Sequence, residues 1–315
     1  MVRKHRFFII ASGVVAALAV FLYLQNHWIQ TSFYTYRVDR DSGRWELRSV
    51  KAETSPVSRT DGNAGMPADK VRIVHLSDLH AEMFGPSNRR LLARTAALAP
   101  DIIVVTGDWI DQYTVNRADA AKTLGDLRAL APVFYSPGNH EFWRGDLQGW
   151  QDELRRYGLQ MMQNRIESLE IDGKDLPIHI LGLDESAVAP DSDASTELFD
   201  ALAAKPGIRI VLAHYPENFA MLGADSYDRR EFDLMFAGHA HGGQIRLPLV
   251  GGLLSPGEGW FPDYYSGSHD GSRVHASGQR SRMIISRGLG NSLIPQRLFN
   301  RPEIVVVDLF LDDPD

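Results

Sequence analysis

Five short runs of this chain carry side chains of a type and order that can hold metal ions: Asp78-Leu79-His80, Gly107-Asp108, Gly138-Asn139-His140-Glu141, His214 and Gly238-His239-Ala240-His241. They offer carboxylate oxygen, amide oxygen and imidazole nitrogen, donors that suit Mn, Fe or Zn. No cysteine is present to draw softer metals. Two such ions roughly 3.5–4 Å apart polarise a phosphoryl oxygen, deprotonate a water between them and keep attacking and leaving oxygens in line. The chemistry these residues imply is phosphoester hydrolysis.

Taken singly, most of these runs have an ordinary explanation. Gly-Asp after a strand is turn chemistry, and Gly138-Asn139 suits a turn whose Asn tolerates positive φ. Gly238-His239-Ala240-His241-Gly242-Gly243 is harder to explain that way, because two imidazoles among three glycines have no obvious packing role. The joint occurrence, in this order, is what points to metal.

The elements that must position these residues follow from spacing. Asp108 lies 30 residues after Asp78 and Asn139 lies 31 after Asp108, close to the ~30 residues of one βαβ unit. Apolar runs over residues 71–77, 101–106, 133–136, 208–213 and 232–237 predict strands, each ending at or just before a motif. That is where open α/β sheets place their ligands. Helical patterns at 88–98, 117–130, 147–157 and 196–204 alternate with them, and 178–183 adds a further strand. Residues 31–50 read as a short strand pair, 52–69 as a mobile loop rich in Ser, Thr, Gly and Pro, and the catalytic core as beginning at Lys70.

The chain resembles the calcineurin-like metallophosphoesterases. Within that superfamily, His75-Leu76-Ser77-Asp78-Leu79-His80, Thr106-Gly107-Asp108-Trp109-Ile110-Asp111, the run 238–247 and Ser286-Arg287-Gly288-Leu289-Gly290 are similar to a membrane-anchored bacterial branch. That branch holds general phosphodiesterases and an enzyme that cleaves UDP-2,3-diacylglucosamine in lipid A synthesis. The resemblance covers about residues 70–310 and implies an α/β fold of two packed sheets flanked by helices. It also implies Asp78, His80, Asp108 and His241 around one metal ion, Asp108 bridging to a second, and Asn139, His214 and His239 completing the second set. A hydroxide between the ions would then attack phosphorus while His140 protonates the leaving oxygen.

Other residues carry weaker expectations. Glu141 and Asp111 are placed to orient His140 or a ligand imidazole, as carboxylates behind metal ligands commonly do. Arg287, Arg297 and Arg301 could reach a substrate phosphate bidentately. Strand alternation makes His75 structural, and His5, His27, His179, His269 and His275 match no motif. Leu249, Val250, Trp260, Phe261, Tyr264 and Tyr265 concentrate apolar surface in a Gly- and Pro-rich segment directly after the histidine motif. Trp260 and Tyr264 there are candidate substrate contacts. The segment forms a wall of the cleft, a surface resting on the bilayer, or a cover for a sheet edge.

Composition agrees with one enzyme domain plus an anchor. The 315 residues are 44% hydrophobic and carry a formal charge of −7, enough chain for a large core. Without Arg3, Lys4 and Arg6, 30 basic residues stand against 40 acidic ones, which argues against nucleic acid as a partner. Residues 7–24 are uncharged and just long enough to cross a bilayer as a helix. The basic residues before them predict a cytoplasmic amino end and a catalytic domain on the periplasmic side of the inner membrane. Ala17-Leu18-Ala19 resembles a signal-peptidase site, but the apolar run continues through Leu24, favouring an uncleaved anchor. The anchor favours a lipid-linked substrate over soluble nucleotides or phosphomonoesters, and the intact ligand set argues against a non-catalytic scaffold. UDP-2,3-diacylglucosamine meets a topological objection, since it is made in the cytoplasm.

Overall fold

Runs such as Ile102-Ile103-Val104-Val105 cannot leave either face in water, and they form strands buried on both faces. In the computed structural model, residues 2–41, 44–49, 70–114, 116–174, 176–275, 278–292 and 294–311 are described. The elements begin with α1 (Val2–His27), β1 (Gln30–Asp41), β2 (Arg44–Ser49), β3 (Lys70–Leu76), α2 (Arg89–Ala97), β4 (Ile102–Thr106), α3 (Arg117–Arg128) and β5 (Val133–Ser136). Next come α4 (Asn139–Trp143), α5 (Leu147–Arg155), β6 (Arg165–Leu169), β7 (Ile178–Gly182), α6 (Asp193–Ala203), β8 (Ile208–Leu212) and β9 (Leu234–Ala237). Two small hairpins follow, β10 (Arg246–Leu247) with β11 (Gly251–Gly252) and β12 (Leu254–Ser255) with β13 (Gly259–Trp260). The chain closes with β14 (Gly267–Asp270), β15 (Arg282–Ile285) and β16 (Glu303–Leu311).

Two six-stranded sheets result, in the orders β2-β1-β16-β3-β4-β5 and β14-β15-β9-β8-β7-β6. Strands β3 to β5 are parallel, as are β7, β8, β9 and β15. Period-two alternation divides each strand between layers. Ile73 and Val104 of the first sheet meet Ile180, Ile210 and Phe236 of the second in one buried cluster. Val74 and Val105 face Leu124, Leu127 and Trp150 of α3 and α5, while Val211 and Met235 pack on Phe199 and Leu202 of α6. Each fully buried Ile or Leu in these layers contributes roughly 1.5–3 kcal/mol. The architecture is the expected α/β pair of mixed sheets flanked by helices.

The domain boundary differs from the sequence reading. The strand pair at 31–50 is expected to precede a core beginning at Lys70, but β1 pairs in parallel with β16 from Gln30 to Val38, and Tyr36, Val38 and Leu47 belong to the core between the sheets. The partner strand lies some 270 residues away in sequence, a non-local pairing that local patterns cannot reveal. Strand β16, absent from the predicted strands although Ile304-Val305-Val306-Val307 is a dense apolar run, is buried along all nine residues between β1 and β3. The expected mobile loop at 52–69 lies outside the described residues.

Helix α1 contains an apolar stretch, Phe8–His27, long enough to cross a bilayer, and Phe8, Ile9, Ile10, Val14 and Val15 on it are exposed. Its last turns touch the domain. Asn26 Nδ2 donates to the Pro295 carbonyl at 2.9 Å, Gln296 Nε2 donates to the Leu22 carbonyl at 3.0 Å, and the Phe21 and Phe299 rings lie 5.7 Å apart.

Candidate metal centre

Loops leaving β3, β4 and β5 in one sheet and β8 and β9 in the other converge at one place. Backbone bonds tie them together: Asp78 N donates to Gly107 O at 3.0 Å, His80 N to Asp108 O at 2.9 Å, and Gly238 N to His214 O at 3.2 Å. The approach is close enough to require glycine. A Cβ on Gly107 would lie 2.3 Å from Gly138 N, and one on Gly138 would lie 2.4 Å from Asp108 Oδ1. Asp78, His80, Asp108, His239 and His241 all take positive φ, between 47° and 64°. Strain of this kind, about 1–3 kcal/mol per residue, persists where the surroundings over-determine a loop, typically at functional sites.

The side chains so placed form three overlapping groups of donor atoms: Asp78, His80 and His241; His80, Asp108 and His140; Asp108, His214 and His239. Asp108 Oδ2 sits between them, 3.2 Å from His214 Nε2, 3.7 Å from His80 Nε2 and 4.0 Å from His140 Nε2. Asp78 Oδ1 is 3.5 Å from His241 Nε2, and Asn139 Oδ1 is 3.0 Å from His214 Nε2. Imidazole nitrogens face one another at 3.1 Å between His80 and His241 and at 3.2 Å between His239 and His214. All seven expected ligands are buried, while His140 is half-buried at the rim.

The electrostatics suit cations. Burial holds the His80 ring down to about 4 and the His239 ring down to about 3, and pushes His241 well below the usual range. These rings are neutral and keep a nitrogen lone pair. Burial raises the Asp78 carboxyl to about 7 against the pull of His214. Burial also disfavours charge on His214, but Asp108 and Asp78 outweigh it and lift the ring to about 10. Asp78 Oδ2 is buried without a hydrogen-bond partner, a costly condition that a cation bound to it relieves. The residues fit divalent metal.

Glu141 does not orient His140. Its carboxylate accepts from the backbone N–H groups of Gly138, Asp108, Trp109 and Ile110 and from the Tyr135 hydroxyl, fastening the Asp108 loop to the start of α4. Sequence reasoning missed its counterpart Glu185, which accepts from the N–H groups of His214 and Tyr215 at 2.7 and 3.0 Å. The available signal was an acid just beyond β7, the position the other motifs occupy. Asn300, also missed, donates to the His241 and Gln244 carbonyls.

Several expected contacts lie elsewhere. Asp111 Oδ1 accepts from Tyr113 N and the Thr114 hydroxyl, closing a local turn rather than steadying an imidazole. Arg297 is fully buried and donates to the carbonyls of Arg287, Asn300 and Gly290, so its guanidinium cannot meet a substrate. Arg301 covers the Trp28 ring at 5.2 Å, beside the end of α1. Trp260 is exposed on a small hairpin, and Tyr264 packs on His269. Arg287 lies beside the histidine turn, its Cγ 3.0 Å from where a Cβ on Gly242 would stand, while Arg297 Nη2 meets His241 Nδ1 at 3.4 Å from the buried side.

Hard and borderline donors gathered this tightly around a central carboxylate define a metal-dependent phosphoesterase. Residues 71–243 match the calcineurin-like phosphoesterase family. The chain is 30% identical over 277 residues to the uncharacterized metallophosphoesterase YkoQ of Bacillus subtilis, covering 86% of this chain and 93% of that one. It is 28% identical over 248 residues to the phosphodiesterase YaeI of Escherichia coli, covering 76% and 82%. A transmembrane protein with a metallophosphoesterase domain from Danio rerio is 24% identical over 247 residues, covering 76% of this chain and 53% of that protein. The chain belongs to the calcineurin-like phosphoesterase family.

Proposed function

We propose that this metal-dependent phosphoesterase cleaves phosphodiester or pyrophosphate bonds of a lipid-linked substrate, from a catalytic domain anchored by α1 on the periplasmic side of the inner membrane. The observation that carries the reaction class is the convergence of Asp78, His80, Asp108, Asn139, His214, His239 and His241 on one buried point, with Asp108 central. Two divalent cations bound there supply Lewis acidity and an activated water. His140, less buried than the ligands, delivers the proton to the leaving oxygen. Arg287 binds a non-bridging phosphate oxygen.

The lipid-linked part rests on the apolar helix beside the site, and a UDP-2,3-diacylglucosamine-like molecule is one candidate. A broad envelope phosphodiesterase acting on soluble substrates fits the similarity to YaeI equally. The test is hydrolysis by the full chain in detergent with Mn²⁺, comparing bis-p-nitrophenyl phosphate, p-nitrophenyl phosphate and lipid-linked diesters or pyrophosphates in mixed micelles, with Asp108→Ala as control. Preference for the lipid substrates supports the proposal. Faster turnover of the soluble diester assigns the broad activity, and metal-loaded protein inert on all of them sinks the catalytic reading.

A further inference from the structure

The hairpin β10–β11 grows directly from the metal centre, since Gly243, two residues after His241, is packed against Gly252. Its tip is a tight turn in which Val250 N donates to the Leu247 carbonyl at 3.2 Å, with Pro248 and Leu249 between. Leu249 takes φ 69° at the place where such a turn calls for glycine or asparagine. Its side chain is fully exposed, and Val250 beside it is exposed too. Protein packing therefore gives no reason for leucine here, and the backbone strain argues for a partner outside the chain.

The neighbours identify that partner. Leu249, Arg246 and Phe299 line one groove of about 440 Å³, and Phe299 in turn lies against Phe21 of α1. Phe21 precedes Trp28 by seven residues, about 10 Å along a helix axis. With the half-exposed Trp28 at the membrane interface, as its amphipathic ring favours, Phe21 and Phe299 lie at the depth of the acyl chains. Arg301 over Trp28 and Arg246 at the hairpin root supply cations at headgroup level.

We propose that the Pro248-Leu249-Val250 tip, with Phe299, inserts into the bilayer beside α1 and holds the root of the histidine turn at the lipid headgroups. This rests on α1 being a membrane anchor, and the test separates the two. The chain lacks cysteine, so Leu249→Cys, Val14→Cys and Ala194→Cys each give a single site for a nitroxide label. The full-length variants are reconstituted in phosphatidylethanolamine–phosphatidylglycerol vesicles, and label collision with oxygen is compared with collision with a water-soluble nickel chelate. The expected result is an oxygen-to-nickel ratio at 249 several-fold above that at 194 on α6 and comparable with that at 14. A bilayer signal at 14 with a water signal at 249 overturns the second contact and leaves the anchor standing. Water signals at both positions overturn the anchor reading and this inference with it.

Discussion

Asp108 Oδ2 lies 3.2 Å from His214 Nε2 with both side chains sealed from solvent, so the two act as one buried acid–base pair. Burial disfavours charge on the ring, but Asp108 and Asp78 prevail and hold His214 protonated up to about pH 10 without metal. A ligand imidazole must be neutral, so metal binding at pH 8 releases about one proton. Affinity consequently rises with pH up to about 10. Calorimetric titrations in buffers of different ionisation enthalpy measure the release. Heats independent of buffer would show that His214 is already neutral before metal binds.

Metal holding and proton delivery are separable. His140→Ala is expected to lower kcat by ~10²–10⁴-fold with metal content unchanged, because His140 lies at the rim while seven other donors remain. Asp108→Ala removes the carboxylate shared by two of the three donor groups and is expected to lose metal and turnover together. Elemental analysis beside activity decides it, and metal loss in His140→Ala would make that residue a ligand.

Glu141→Gln places a donor NH₂ among five donors that now converge on a carboxylate. The expected cost is about 2–3 kcal/mol of stability, with weaker metal binding because the Asp108 loop is released. Denaturant unfolding and metal titration of the variant check both. A fully stable protein with unchanged affinity would show that the loop is held by other bonds.

Deleting residues 1–69 leaves β16 without its partner β1 and opens the core at Tyr36, Val38 and Leu47. That truncation is expected to be insoluble or unfolded, whereas a chain beginning at Trp28 keeps the sheet and metal-dependent turnover. Circular dichroism and activity of the two truncated chains compare them. A folded, active chain from Lys70 onward would mean that β1 is dispensable.

His75 packs between the sheets against Phe236, bonded to the Thr106 hydroxyl at 2.8 Å, and burial pulls its ring down to about 3. The folded state therefore binds fewer protons than the unfolded state between about pH 3 and 6.5. Its contribution is fully present above 6.5 and is lost at about 1.4 kcal/mol per pH unit below that. His75→Asn is expected to flatten the stability profile of the metal-free protein over pH 4–6. Parallel profiles for the two proteins would place that pH dependence in other groups.

The sequence by itself determined the reaction class and the strands that carry it. Asp78, Asp108, His214 and His239 each follow a dense apolar run, and such runs have no alternative but to become buried strands whose ends present the next residues. Ligand type and the two-histidine glycine turn then restricted the chemistry to hard and borderline metals. The tertiary structure decided which residues meet. Asp78 and His241 touch across 163 positions of sequence, and β1 finds β16 across some 270, because side-chain convergence depends on how two sheets stack and not on local pattern. The same stacking enclosed Arg297, turned Glu141 onto backbone N–H groups and brought Glu185 beneath His214. An acid or arginine in sequence looks alike whether it faces substrate, solvent or a buried carbonyl, and only the packing around it fixes which.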